Sequence, residues 1–205
     1  MIIQANFDEA KQSQLPAVEL LINMGYKYIS PAEADKQRGN DQSKFILQDI
    51  AFKKLMEINW YHHKGIDYRF SEKNVHTAIQ ELENIPLEGL LDTSRDVYHT
   101  LMSSSGKTLK EFIDGKFESF DFKFIDFENP ENNDFHVTVE FNAEGRQKIR
   151  PDIVFFVNGI PFAIIENKKS GTKIEEALTQ MNRNQGPDYC PKLFVYPQIL
   201  IGTNK

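Results

Sequence analysis

The chain has 205 residues, 40% of them hydrophobic, a formal charge of −6 and a single cysteine, Cys190. That length supports one sizeable core, and one cysteine excludes an internal disulfide and a cysteine-rich zinc site, as fits a reducing cytoplasm. No apolar run reaches a membrane span, the start Met-Ile-Ile-Gln-Ala-Asn-Phe-Asp-Glu lacks the marks of a signal peptide, and net acidity argues against an autonomous nucleic-acid-binding module.

Residues 1–14 are a polar lead-in. Pro16 suits the first turn of a helix carrying Ala17, Val18, Leu20, Leu21 and Met24, with Gly25 as its stop. Residues 30–44, with Pro31 and Gly39, read as a loop. A second helix is predicted over Lys44–Ile58 from the stripe Ile46, Leu47, Ile50, Leu55 and Ile58. Trp60-Tyr-His-His-Lys-Gly65 breaks it. His62 and His63 are adjacent and project differently, and His76 and His99 stand at no zinc-ligand spacing from them, so no zinc site is expected.

Ser71 can cap a helix carrying Val75, Ala78, Ile79, Leu82 and Ile85, which Pro86 ends. Another short helix spans Thr93–Met102. Ser103-Ser-Ser-Gly106-Lys107-Thr108 ends like a phosphate loop, but Leu101 stands where a Walker A motif needs its first glycine, and no apolar strand precedes it. Gly106 reads instead as a helix end and Thr108 as the cap of a further helix, with Glu111 completing a capping box. ATP hydrolysis is not expected of these residues.

From Phe117 the period changes to two. Phe120, Phe122 and Phe124 alternate with polar residues, an acidic turn spans Asp126–Asp134, and Phe135, Val137, Val139 and Phe141 follow. This predicts an antiparallel pair flanking the next strand, its phenylalanines serving as core. Ile153–Val157 and Ile160–Ile165 then meet at Asn158-Gly159, a strong hairpin signal. Both runs are apolar at nearly every position, so both faces should be covered.

Asp152 opens that hairpin, and Glu166 and Lys168 close it. Such groups are costly to desolvate unless they bind something, and a divalent cation is the natural partner. Mg²⁺ takes oxygen ligands, commonly one or two carboxylates with water and substrate phosphate. Asp152 and Glu166 are the metal candidates. Asn167, pointing away from the face shared by Glu166 and Lys168, can add its backbone carbonyl. Lys168 would orient or deprotonate a water, or neutralise charge on a phosphate. A solvated surface hairpin would explain Glu-x-Lys alone. It does not explain an aspartate 14 residues upstream, across a turn between apolar strands.

The trio also sets a condition on register. A plain two-residue loop pairing Val157 with Ile160 would place Asp152 and Glu166 on opposite faces. The hairpin therefore needs one irregularity: a Gly159 bulge pairing Phe156 with Ile160, or a loop pairing Val157 with Pro161.

After the hairpin, Lys173–Asn184 reads as a helix with Ile174, Ala177, Leu178 and Met181 inward, and Gln180 and Asn184 four apart at its edge. Leu193–Ile201 reads as a last, central strand, parallel to a neighbour reached through the helix. The fold expected is α/β, a mixed sheet of about five strands flanked by helices. Arg146, Lys148, Arg150, Lys168, Lys169 and Lys173 form its densest basic patch, from which Arg150, Lys169 and Lys173 are taken as DNA-binding candidates.

Pro151-Asp152 followed by Glu166-x-Lys168 resembles the PD-(D/E)xK nuclease signature. Arg150-Pro-Asp-Ile-Val-Phe-Phe-Val-Asn-Gly-Ile-Pro161 closely resembles the N-terminal nuclease domain of the R (restriction) subunit of type I restriction-modification enzymes. So do Ile125–Phe135, Gln180-x-x-Arg183-Asn184-Gln185 and Pro191-x-Leu193-Phe194-x-Tyr196-x-Gln198. The likeness is strong over about residues 120–204 and weaker in the helical part, at Leu15-Pro16-Ala17 and Met24-Gly25-Tyr26.

The resemblance implies a restriction-endonuclease-like core, 116–205, with a mainly helical extension, 1–115, packed on it as one compact unit. It implies Mg²⁺-dependent cleavage of double-stranded DNA, driven by an ATP-dependent motor in a part of the chain beyond Lys205. Modification and specificity subunits would be partners, and ATP and S-adenosylmethionine would act only in the assembled enzyme. Related nucleases often place an acidic residue on an N-terminal helix beside the metal, which makes Glu19 a candidate, although an exposed helix glutamate is the plainer reading. Many also carry Gln-x-x-x-Tyr, which assigns Gln180 to the active site. Asn184 replaces the tyrosine and is a candidate DNA contact. A self-sufficient metal-dependent DNase, an inactive nuclease-fold scaffold and a non-catalytic nucleic-acid module are the other readings.

Overall fold

The computed structural model describes residues 15–102, 107–168 and 171–204; the lead-in 1–14, the expected helix end at Gly106 and the DNA-binding candidate Lys169 lie outside them. Helix α1 (Leu15–Asn23) ends as expected at Gly25, whose φ of 100° turns the chain while Tyr26 N–H donates to Leu21 O at 3.0 Å. A short strand β1 (Lys27–Tyr28) follows. The stretch read as a loop contains helix α2 (Pro31–Gln37). Ser30 Oγ accepts from Glu33 N–H at 3.1 Å, and Pro31 opens the helix.

Helix α3 (Gln48–Ile58) is shorter than expected at its start and leads into a hairpin, β2 (Trp60–His63) and β3 (Ile66–Arg69), turned at Lys64-Gly65. Helices α4 (Glu72–Glu83) and α5 (Leu90–Met102) follow.

The helix expected after Gly106 is instead a strand, β4 (Lys107–Ile113), paired with β5 (Lys116–Phe122). Asp114 and Gly115 both have positive φ, 51° and 80°, which suits a tight hairpin. Glu111 completes no capping box of its own. Its carboxylate accepts from Ser71 N–H, Ser71 Oγ and Asn74 Nδ2 at 2.7–2.9 Å, tying down the start of α4. The phenylalanine strand thus pairs with its own hairpin partner, not with the strand after the acidic turn.

That later strand, β6 (Phe135–Val139), joins the main sheet. A small ladder, β7 (Ala143–Glu144) with β8 (Lys148–Ile149), precedes β9 (Ile153–Val157) and β10 (Ile160–Lys168). Helix α6 (Ile174–Asn184) crosses over to β11 (Ile199–Asn204). The five-stranded mixed sheet has the order β1-β6-β9-β10-β11, with β6–β9–β10 antiparallel and both outer pairs parallel. Strand β11 is parallel to β10 as expected, but it is an edge strand and begins at Ile199; Pro191–Val195 is 3₁₀ helix.

Every residue of β9 is buried. Val18 and Leu21 of α1 cover Val137, Ile153, Phe155 and Ala163 on one face. On the other, Val154, Phe156 and Ile164 belong to a core that includes Leu47, Leu55, Val75 and Met181 and runs from Ala34 to Tyr196. In α6 only Ala177, Met181 and Asn184 are buried; Ile174 and Leu178, expected inward, are exposed. Among the described residues no helix is long and apolar enough to cross a membrane.

Candidate active site

The Asn158-Gly159 turn is buried rather than superficial. Asn158 Nδ2 donates to Phe124 O and Asn133 Oδ1, and its Oδ1 accepts from Asp134 N–H, all at 2.8–2.9 Å. Gly159 has φ 76°, and its carbonyl accepts from Leu47 N–H at 2.8 Å. The loop is the plain two-residue kind, with Ile160 opposite Val157. By itself that would separate the carboxylates. The register shifts between Pro161 and Ala163, however, so that Ile165 faces Ile153. The irregularity that the trio requires lies at Phe162, not in the turn, where proline already removes a ladder donor. Its effect is the one required: the next residues along, Asp152 and Glu166, share a face.

The two carboxyl groups are close enough that each shifts the other's titration. Asp152 Oδ2 also accepts from Asn167 N–H at 2.7 Å. Glu166 is 1% exposed, and its Oε2 accepts from Gln180 Nε2 at 2.8 Å. Lys168 Nζ donates to the Oε1 of the same Gln180. Gln180 therefore bridges the acid and the lysine through opposite ends of one amide. Burial and then the charge of Asp152 push the Glu166 carboxyl up to about 8, even with Lys168 opposing. Burial also raises Asp152, against the Asn167 N–H bond.

Glu166 Oε1 is buried without a hydrogen-bond partner. Two buried carboxyls forced together, one with an orphan oxygen, suit a hard divalent cation that takes oxygen ligands. Among the described residues no three histidine, cysteine or carboxylate groups converge to hold an ion directly. Asp152, Glu166 and the Asn167 carbonyl are the oxygen donors that could hold such an ion, with its other positions left to water and substrate. His62 and His63 bond Asp67 and Asp114 at 2.8 and 2.9 Å and stand apart from this set.

The remaining candidates separate. Lys173 is exposed at the start of α6 and lines a cleft of about 350 Å³ with Lys168, Thr179, Gln180 and Arg183. Arg150 is exposed, with Nη1 3.7 Å from Glu140 Oε2. Asn184 is 2% exposed. Being packed on the inner side of α6, it is not presented to DNA as expected. Glu19 is exposed on α1, whose buried residues cover the sheet face opposite to that of Ile164 and Glu166.

Two further residues adjoin the site with little signal in the sequence. Arg183, three after Gln180 on the same helix edge, favours the charged form of Glu166. Glu140 follows β6, and its N–H donates to Asp152 O at 2.9 Å. Its only sequence signal is a charge at the end of a strand that pairs with the Asp152 strand.

A family profile described as "Type I restriction enzyme R protein N terminus" matches residues 6–205. A putative type I restriction enzyme endonuclease subunit, MjaVIIIP, from Methanocaldococcus jannaschii is 31% identical over 187 residues, covering 89% of this chain and 16% of that protein. The SauCOLORF180P endonuclease subunit from Staphylococcus aureus is 26% identical, with 80% of this chain and 18% of that protein covered. The EcoprrI endonuclease subunit from Escherichia coli is 23% identical over 91% of this chain and 53% of its own length. The chain thus spans about a sixth of the length of the first two relatives. It belongs to the family of type I restriction enzyme R protein N-terminal domains.

Proposed function

We propose that this domain is the Mg²⁺-dependent endonuclease of a type I restriction enzyme, hydrolysing phosphodiester bonds of double-stranded DNA. The observation that carries the reading is the buried Asp152–Glu166 carboxyl pair, with Lys168 held beside it through Gln180.

Asp152, Glu166 and the Asn167 carbonyl would hold the cation. When bound, it would polarise the phosphate and lower the pKa of a water at the reacting phosphorus. The protein's own groups do the rest. Deprotonated Asp152 and Glu166 supply the negative charge that fixes the ion. Gln180 keeps the Lys168 ammonium next to Glu166, where it can orient a water or offset charge growing on the phosphate. Lys173 and Arg183 line the cleft on the α6 side and suit neighbouring phosphates of the DNA backbone, as Arg150 does from its side of the sheet.

The net charge of −6 makes independent capture of DNA weak. That fits delivery of DNA by an ATP-driven motor and by modification and specificity subunits in a cytoplasmic complex, with ATP and S-adenosylmethionine used elsewhere in the assembly. The relatives' names, endonuclease subunits of type I restriction enzymes, support this context.

The test is Asp152→Ala, Glu166→Ala and Lys168→Ala, each in the full R subunit assembled with its partners. Each should abolish DNA cleavage while ATP hydrolysis and translocation continue. Substantial cleavage by any one of them would end the assignment.

A further inference from the structure

The segment after α6 folds back onto the turn of the β7–β8 ladder. Arg146 N–H donates to Tyr189 O at 2.8 Å, and Tyr189 N–H donates to Gly186 O at 3.0 Å. The approach is close: a Cβ on Gly145 would lie 2.2 Å from Tyr189 O, so glycine is required there. These backbone contacts bring Arg146, Tyr189 and Lys192 to one open cleft of about 360 Å³, which Phe45 and Leu87 also line. The Tyr189 ring carries the Arg183 guanidinium, whose carbon stands 5.2 Å from the ring centroid. Arg183 in turn lines the first cleft with Lys168 and Gln180, and Gln180 is bonded to Glu166. The two clefts therefore adjoin at the Arg183–Tyr189 stack.

The charges at the second cleft suit a polyanion, although the whole chain carries −6. Two cations, Arg146 and Lys192, line it against one carboxylate, Glu144, which has Lys148 Nζ 3.3 Å away. Arg146 Nη1 stands 3.5 Å from Asp188 Oδ1, with the two side chains 76% and 75% exposed. An ion pair that open contributes little, so the guanidinium can exchange it for a phosphate, which it binds through two parallel N–H bonds. Lys173 and Arg183 lie about 15 Å apart along α6, or roughly four base-pair steps of duplex. The second cleft continues that line past Arg183. We propose that Arg146 and Lys192 form a second phosphate subsite, which takes the duplex backbone a few base pairs from the reacting phosphate. The inference rests on the DNA-nuclease reading of the Asp152–Glu166 pair.

The experiment titrates a fluorescent duplex oligonucleotide with the purified chain over a low-salt series, reading anisotropy, for the parent, Arg146→Gln, Lys192→Gln, Lys173→Gln and Lys116→Gln. Arg146→Gln and Lys192→Gln should each weaken binding several-fold at low salt and lower the slope of log affinity against log salt by about one. Lys116→Gln, at an exposed cation that lines neither cleft, should leave the slope unchanged. Arg146 is exposed and held by its backbone, so Arg146→Gln should melt with the parent and decides the matter if half-buried Lys192→Gln melts early. Parental affinity and slope in Arg146→Gln, with Lys173→Gln weakened, would overturn the second subsite alone. An equal fall in Lys116→Gln would show a diffuse charge effect and overturn it too. Absence of salt-sensitive binding in the parent would overturn the DNA reading as well.

Discussion

Gln180 donates from its amide nitrogen to Glu166 at 2.8 Å while its amide oxygen accepts from Lys168. This single side chain on α6 couples a helix to the end of β10 and fixes the spacing of two groups only two residues apart. Replacing it by leucine removes both bonds at once and leaves Glu166 with two unsatisfied oxygens instead of one. Cleavage by the assembled enzyme carrying Gln180→Leu should fall by about ten- to a hundredfold, as expected for a residue that orients ligands. Measured ATPase activity should not change.

The raised Glu166 carboxyl makes the metal-free domain sensitive to pH. A group held near 8 in the folded state and near its ordinary 4.5 when unfolded keeps its proton in the fold over that interval. The folded state then binds more protons than the unfolded one, so stability is full below about 4.5 and is lost as pH rises toward 8. Thermal melts in EDTA should show the midpoint dropping by several degrees across that window, at roughly 2–4 °C per kcal/mol for a chain of this size. Glu166→Gln should flatten the slope. Saturating Mg²⁺ at pH 8 should restore the parent's midpoint, because binding to the folded state alone stabilises it.

The buried turn gives a separate structural test. A Cβ on Gly159 would lie 2.6 Å from Leu47 O and 2.9 Å from Ala51 N, at a φ of 76° that L-residues rarely adopt. Gly159→Ala should cost roughly 2–4 kcal/mol, combining left-handed strain with overpacking. Urea denaturation of the domain is the direct measure. An effect below about 0.5 kcal/mol, the range of ordinary surface substitutions, would show that the turn is not clamped against α3.

Much of this architecture is legible in the sequence because burial writes itself as pattern. Five consecutive apolar residues at 153–157 suit a strand covered on both faces, and Asn158-Gly159, which marks its turn, decides for strand over buried helix. What escaped lies in shorter signals overridden by a larger motif. Ser30-Pro31 with Glu33 is a helix start, but Gly39 and the nearby charges give the stretch the composition of a loop. Asp114-Gly115 is a hairpin turn, but Thr108 and Glu111 stand at capping-box spacing, which favours a helix on local grounds. The register requires an irregularity, and the Asn158-Gly159 signal draws it to the turn; it lies instead at Phe162, where the only local mark is the missing ladder N–H of Pro161. Asn184 stands by spacing at the edge of the apolar face and takes its DNA role from the resemblance alone, whereas the helix buries it. Glu140 needed a long-range strand pairing that the sequence does not state.

The last prediction concerns how the domain meets DNA. Lys168, Lys173 and Arg183 line one cleft, but Glu175 and Glu176 line it too, and the whole chain carries −6. Only a few cations therefore face a backbone with one charge about every 1.7 Å of duplex. Binding of duplex DNA by the isolated domain should be weak and should fall steeply as salt rises, because it depends on counterion release. Lys173→Glu and Arg183→Glu should each weaken it further at low salt and reduce the salt slope by about one, and Lys173→Glu, at an exposed side chain, should do so without lowering the melting temperature. Fluorescence anisotropy over a salt series resolves both quantities. Nanomolar binding insensitive to salt would contradict the charge argument and favour a nuclease that captures DNA unaided. Unchanged binding in both variants would move the DNA path away from α6, toward Arg150 on the other side of the carboxyl pair.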